Sequence, residues 1–154
     1  MPILKKLQEL LDRERVAYEV LTHPPAYTAQ EVAQAQHVPG RELAKVVVVC
    51  GSQGFALLVL PAIYKVDLAR AQAALGDPQA RLATEQEFRS LFPECEVGAM
   101  PPFGNLFALP VYVDQTLAQD ETIVFNAGTH TQTVRMRYAD FVRLVGPKLA
   151  SFAA

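Results

Sequence analysis

Two uninterrupted apolar runs, Leu43-Ala-Lys-Val-Val-Val-Val-Cys50 and Phe55-Ala-Leu-Leu-Val-Leu60, are separated only by Gly51-Ser-Gln-Gly54. β-Branched and aliphatic residues in runs of this length favour strands, and the glycine-bounded gap is short enough for a hairpin. Neither run alternates polar with apolar, so both strands must be covered on both faces. A chain built on such a hairpin has to supply a layer on each side of it. The 154 residues, 51% of them hydrophobic and 19% charged, are sufficient. At this length a chain buries roughly 68–70% of its unfolded surface and needs neither metal nor disulfide staple. One domain, residues 1–154, is expected.

The layers are visible on either side of the hairpin. Leu4, Leu7, Leu10 and Leu11 recur at helical spacing between charged residues and predict an amphipathic helix ending near Arg15. A short strand, Ala17–Thr22, follows and stops at His23-Pro24-Pro25, where two prolines offer no ladder donors. Thr28-Ala-Gln-Glu31 has the capping-box pattern and predicts a helix from Ala29 to about His37. Asp67 can cap a helix through Leu75, and Thr84-Glu-Gln-Glu87 opens another that closes before Pro93. Strands are expected at Leu106–Val113, Thr122–Asn126 and Thr131–Met136, and a last helix at Tyr138–Val145. Hairpins mixed with single helices predict an α+β domain around a mixed, mostly antiparallel, barrel-like central sheet flanked by helices.

Charge narrows the function classes. Lys plus Arg number 14 and Asp plus Glu 16, a net charge of −2, with a pI near 5.9. That balance excludes charge-driven disorder and a histone-like polycation. Local basic candidates remain: Arg41 with Lys45, and Arg135, Arg137, Arg143 and Lys148. The longest apolar stretch, Val46–Leu60, is broken by its glycine turn and falls short of the ~20 residues of a membrane span. The first residues lack a secretory leader's apolar core, and Cys50 and Cys95 form no C-x-x-C pair. A cytoplasmic protein with reduced thiols is expected, and no heptad seam indicates an oligomeric state.

His23, His37 and His130 show no metal-ligand spacing, and neither a G-x-S-x-G elbow nor a phosphate-binding G-x-x-x-x-G-K-[ST] loop occurs. An enzyme of this sequence is expected to work without metal, cofactor or serine nucleophile. Three features remain. Lys45 lies inside a doubly apolar strand, so it either reaches water at the strand end or serves as a fixed cation for a phosphate or carboxylate. Gly98-Ala-Met-Pro-Pro-Phe-Gly104 is a stiff loop: an ordinary turn, or a pocket wall whose amides face an oxyanion. In Asn126-Ala-Gly-Thr-His130, Gly128 permits close approach, while His130 is either a surface-turn histidine or a proton carrier.

The strand lysine in L-A-K-V-V-V-V, the G-x-x-x-P-x-G loop 53 positions later and the N-A-G turn before the last strands together resemble the YbaK / prolyl-tRNA synthetase-associated editing domains. The opening H-P-P-A-Y-T-A-Q-E-V-A segment is similar to that family's first strand and helix, and the resemblance runs from about Tyr18 to Leu144. It implies a freestanding, metal-independent hydrolase of the ester joining a wrong amino acid to tRNA. It also implies a functional lysine at Lys45, the G-x-x-x-P motif at Gly98 and Pro102, and the second-loop glycine at Gly128. Ala99, Met100, Pro101, Phe103, Ala127 and His130 are the expected substrate-binding residues. Such an ester is already activated, so positioning and carbonyl polarisation by loop amides suffice, with attack by water, a ribose hydroxyl or a substrate thiol. Cysteine-removing members often carry Ser before the loop glycine, where this chain has Ala127. The implied amino acid is small, of the alanine, serine, threonine or cysteine class, and that difference and Met100 shift the reading towards the first three. The implied partners are the acceptor end of aminoacyl-tRNA and a synthetase. Two other readings fit the same residues: a module that binds aminoacyl-adenosine or a synthetase without hydrolysis, and another hydrolase using Lys45 as general base.

Overall fold

The computed structural model describes residues 3–24 and 40–154. The expected helix Ala29–His37, with its capping box, lies outside the described residues. Within them the order is α1 (Lys5–Arg13), β1 (Tyr18–Thr22), β2 (Leu43–Gly51), β3 (Gly54–Pro61), α2 (Leu68–Leu75), β4 (Arg81–Leu82), α3 (Glu85–Phe88), β5 (Val111–Asp114), β6 (Thr122–Asn126), β7 (Gln132–Arg137), α4 (Tyr138–Val145) and β8 (Lys148–Ala150). The β2–β3 hairpin forms as expected, in register from Ala44 opposite Pro61 to Gly51 opposite Gly54. Gly54, at φ 98°, supplies the left-handed residue that such a turn requires. Asp77 secures the tip: Ser52 Oγ and the Gln53 and Gln79 amides donate to its carboxylate at 2.9, 3.2 and 3.1 Å. Burial alone would raise this carboxyl, but those donors hold it below the usual range.

The hairpin is the middle of a sheet ordered β1-β7-β6-β2-β3-β5-β8, with β4 also on β2. Pairings β1–β7, β6–β7, β2–β3 and β2–β4 are antiparallel; β2–β6, β3–β5 and β5–β8 are parallel. The sheet is therefore mixed and mostly antiparallel, but the barrel-like expectation is corrected, because among the described residues it stays open. The β2–β6 ladder covers only Leu43–Val124 and Ala44–Phe125, and farther along that edge β4 takes β2 instead. The sheet splays there, leaving β1 and β8 as separate edges.

Side-chain alternation along β2 divides the two layers. Ala44 and Val48 turn to a core with Leu57, Val59, Phe103, Phe125 and Phe141, capped by Leu7, Leu10 and Leu11 of α1. Val49 and the β3 residues Leu58 and Leu60 turn the other way, against Ala71 of α2 and Phe152. The strand expected over Leu106–Val113 is shorter: Gly104–Phe107 is a 3₁₀ turn, and Ala108 takes a left-handed φ of 57° before pairing starts at Val111. Two short strands, β4 and β8, were not signalled by the sequence; β8 follows Pro147 and borrows its ladder from β5. The second capping box, the Asp67 cap and the glycine stops form as expected. Asp67 accepts from the Arg70 amide, Thr84 and Glu87 cap reciprocally, and Gly76 and Gly146 end α2 and α4 in the left-handed region.

Candidate active site

The two glycine corners meet. The Gly128 amide donates to the Ala99 carbonyl at 2.8 Å, and the Glu96 amide donates back to the Gly128 carbonyl at 2.8 Å. His130 ties them further. Its Nε2–H donates to the Val97 carbonyl at 2.8 Å, and its amide donates to Glu96 Oε2 at 3.2 Å. His130 is thus buried, only 8% exposed, and belongs to the joint between the corners, not to a surface turn. Both glycines need their residue type. Gly98 sits at φ 86° and Gly128 at φ 102°, where a Cβ would also lie 3.1 Å from Leu4 Cβ. Leu4 is held there by its amide, which donates to the Ala127 carbonyl at 2.9 Å.

Several of the expected contact residues are buried beneath the corners. Phe103 is fully buried, its ring centroid 5.4 Å from Phe125 and 5.6 Å from Phe141, and so nails the proline loop to the core. Ala99, Met100 and Ala127 are buried with it, as are Pro101 and Pro102. Met100 curls back so that its sulfur accepts from the Gly98 amide at 3.3 Å. The amides of Gly98, Ala99, Gly128, His130 and Thr131 are all engaged within the protein. The Gly128 amide, expected to polarise a carbonyl, is thereby committed to Ala99. Among the described residues, those of Met100, Phe103, Gly104 and Thr129 in these two corners have no hydrogen bond.

Lys45 comes beside this joint through the β2–β6 ladder. The last pair is Ala44 with Phe125; the next positions are Lys45 on one strand and Asn126 on the other, with Ala127 and Gly128 directly following. Because Ala44 faces the first core, Lys45 faces the opposite side, where its cross-strand partner is Leu60. Asn126 pairs with the fully buried Thr133, and Thr133 with Leu21, so one row of the sheet reads Leu21, Thr133, Asn126, ending one residue past the last β2–β6 pair. Among the described residues Asn126 Oδ1 is buried without a hydrogen-bond partner. So is Nε2 of His23, one residue past β1, whose Nδ1–H donates to the Pro24 carbonyl at 2.7 Å. The sequence gives no signal for this row; strand register creates it.

Electrostatics set Lys45 apart. Among the described residues no carboxylate lies within ion-pair distance of it, and burial, helped by the positive charge of Lys65, lowers its amine below the ordinary lysine range. An ammonium in that position is under-neutralised and favours an incoming anion. Cys95 is no nucleophile: burial, reinforced by Glu94 and opposed by Lys6, pushes its thiol up to about 11. No set of three or more His, Cys, Asp or Glu side chains is placed to hold a metal among the described residues.

Comparison with known proteins gives this arrangement a class. The model of the aminoacyl-tRNA editing domain matches residues 23–144, a span holding Lys45 and both corners, and the chain belongs to that family, whose members are hydrolases of aminoacyl-tRNA. The multifunctional Ser/Thr-tRNA deacylase ProXp-y of Escherichia coli strain K12 is 29% identical, with 96% of this chain and 91% of that protein covered. A solved structure described as a candidate trans-editing enzyme for prolyl-tRNA synthetase superposes with a TM-score of 0.83 at 27% identity, covering 97% and 96% of the two chains. A hypothetical protein, APE2540, shares the fold at a TM-score of 0.85 and 22% identity, over 97% of this chain and all of the other.

Proposed function

We propose that this chain acts in trans as a deacylase of tRNA carrying a small wrong amino acid, serine and threonine foremost and alanine next. The observation that carries the reading is the direct hydrogen bonding of the Gly98 and Gly128 corners beside the strand position of Lys45. The relative that acts on Ser- and Thr-tRNA supports the choice of amino acids. Ala127, where cysteine-removing members often carry serine, argues against cysteine.

In this reading Lys45 holds the phosphate next to the terminal adenosine, which its unpaired charge suits. The free amides of Met100 and Thr129 polarise the ester carbonyl as negative charge builds on its oxygen. Water attacks the carbonyl carbon, the bond to the ribose oxygen breaks, and that oxygen leaves with a proton as the amino acid departs. A neighbouring ribose hydroxyl can relay the proton. Fixing an already activated ester in a near-attack geometry supplies much of the rate. Asn126 and Thr133 form the wall beside Lys45, and His130 keeps the two corners in register. The partners in this reading are the acceptor end of aminoacyl-tRNA and a synthetase that delivers it, in the cytoplasm.

The test is a panel of tRNAs charged with alanine, serine, threonine and cysteine. Release of serine and threonine, and its loss in Lys45→Ala, is the expected result. No release from any of the four at saturating protein overturns the proposal.

A further inference from the structure

A polar cavity of about 350 Å³ is lined by Arg41, Pro61, Tyr64, Thr116, Gln119 and Asp120. It opens where β2 begins and β3 ends. Pro61 in its wall pairs with Ala44, and the preceding residue, Leu60, pairs with Lys45. The cavity thus adjoins the position of Lys45, and the positive charge of Lys65, one residue after Tyr64, already reaches that amine. Among the described residues Asp120 Oδ2 is a buried acceptor with no hydrogen-bond partner. Burial and the nearby Glu42 raise this carboxyl, while Arg41 lowers it only in part. A carboxylate oxygen kept from water without a donor is costly, and it marks a place where a ligand's N–H is missing.

The surrounding groups narrow that ligand. Tyr64 offers an aromatic face, on which any nucleobase stacks. Arg41 has no ion-pair partner among the described residues and offers a planar fork suited to phosphate. A carboxylate acceptor beside a stacking ring selects an exocyclic amine, the edge that cytosine presents through N4 and uracil lacks. Since tRNA ends in cytidine, cytidine, adenosine, the nucleotide one step before an adenosine held at Lys45 is a cytidine. We propose that the cavity is a cytidine subsite: Asp120 accepts from the base amine, Tyr64 stacks on the ring and Arg41 holds its phosphate. The inference rests on the deacylase reading only in taking the ligand to be a tRNA 3′ end.

Titration with cytidine 5′-monophosphate, read through backbone amide NMR shifts, tests the subsite without any turnover. Shifts centred on Tyr64, Thr116 and Asp120, with cytidine monophosphate binding about tenfold tighter than uridine monophosphate, are expected. Asp120→Ala should erase that preference while leaving the rest of the spectrum in place, and Tyr64→Ala should weaken both nucleotides alike. Equal binding of the two nucleotides, or shifts elsewhere, overturns the subsite. A second arm uses a charged minihelix whose penultimate cytidine is replaced by uridine. KM should rise about tenfold in the unaltered protein and no further in Asp120→Ala. Turnover with KM indifferent to both changes sinks the subsite and spares the deacylase; no turnover with a cytidine preference intact does the reverse.

Discussion

At position 45 charge and packing pull in opposite directions, and that conflict is measurable. The amine is half buried, faces another lysine's charge and lacks a carboxylate. Lys45→Met should abolish deacylation yet leave stability equal or higher, within about 1 kcal/mol. The sign of the pH effect follows from the lowered amine. Between its folded value and the ordinary 10.5 the native state binds fewer protons than the unfolded chain, so this residue's contribution improves as pH rises through that window. Urea midpoints of the two proteins should therefore converge on going from pH 7 to pH 10. A large loss of stability in Lys45→Met would show that the stem, not the charge, is what the fold uses. The glycines make a second contrast. Gly128→Ala meets both a positive φ and Leu4 Cβ at 3.1 Å, whereas Gly98→Ala meets its nearest neighbour, His130 Cε1, at 3.6 Å. Gly128→Ala should cost about 3 kcal/mol and Gly98→Ala about 1, with equal losses counting against the close approach of Leu4.

The elements that the sequence hides are the ones held by single side chains far away. Asp114, 1% exposed, ends β5 and accepts from the Phe152 and Ala153 amides at 2.7 and 2.9 Å. It thereby holds the tail beyond β8, where Phe152 fills the α2 side of the core. Burial pushes this carboxyl up, but the donors Thr116, Phe152 and Ala153 hold it below the usual range. Its contribution is complete above the unfolded value near 3.8 and disappears as pH falls through the lower folded value. Asp114→Ala should cost about 2–3 kcal/mol at pH 7, and hydrogen exchange should quicken first in residues 148–154. Slower or unchanged exchange there would refute the clamp. By contrast, the hairpin, the two capped helices and Tyr138–Val145 were legible because their signals are local: apolar runs, a cap three residues from its partner, a glycine stop. The lysine and both corners were legible only as a set whose order and spacing match a family. The row through Thr133 and Asn126, and the depth of His130 and Phe103, depend on strand register across long separations, which no local pattern encodes.

For the whole molecule the question is how a chain of net charge −2 grips a polyanion. Its cations are not gathered on one surface. Arg143 lies 3.5 Å from Asp140, Arg81 is bound to Glu87, and Lys148 sits over the Tyr112 ring. Arg135 and Arg137 line a separate groove with Tyr18 and Thr122, at the far end of the β1–β7–β6 ladder from the glycine corners. Lys65, by contrast, bears on the Lys45 amine, and Arg41 lines the cavity where β2 begins. Three phosphate contacts to a single strand give a slope of log affinity against log salt of about −2, at roughly 0.7 per contact. A broad acceptor-stem footprint using the β7 arginines and the C-terminal cations as well would give about −5. Reading kcat/KM on a charged minihelix across ~50–200 mM salt separates the two, and the shallow slope is expected. Arg135→Ala and Arg137→Ala should leave that slope unchanged, whereas Arg41→Ala should reduce it by about one contact's share. A steep slope that the β7 substitutions flatten would move the tRNA path to that groove and away from the cavity beside Lys45.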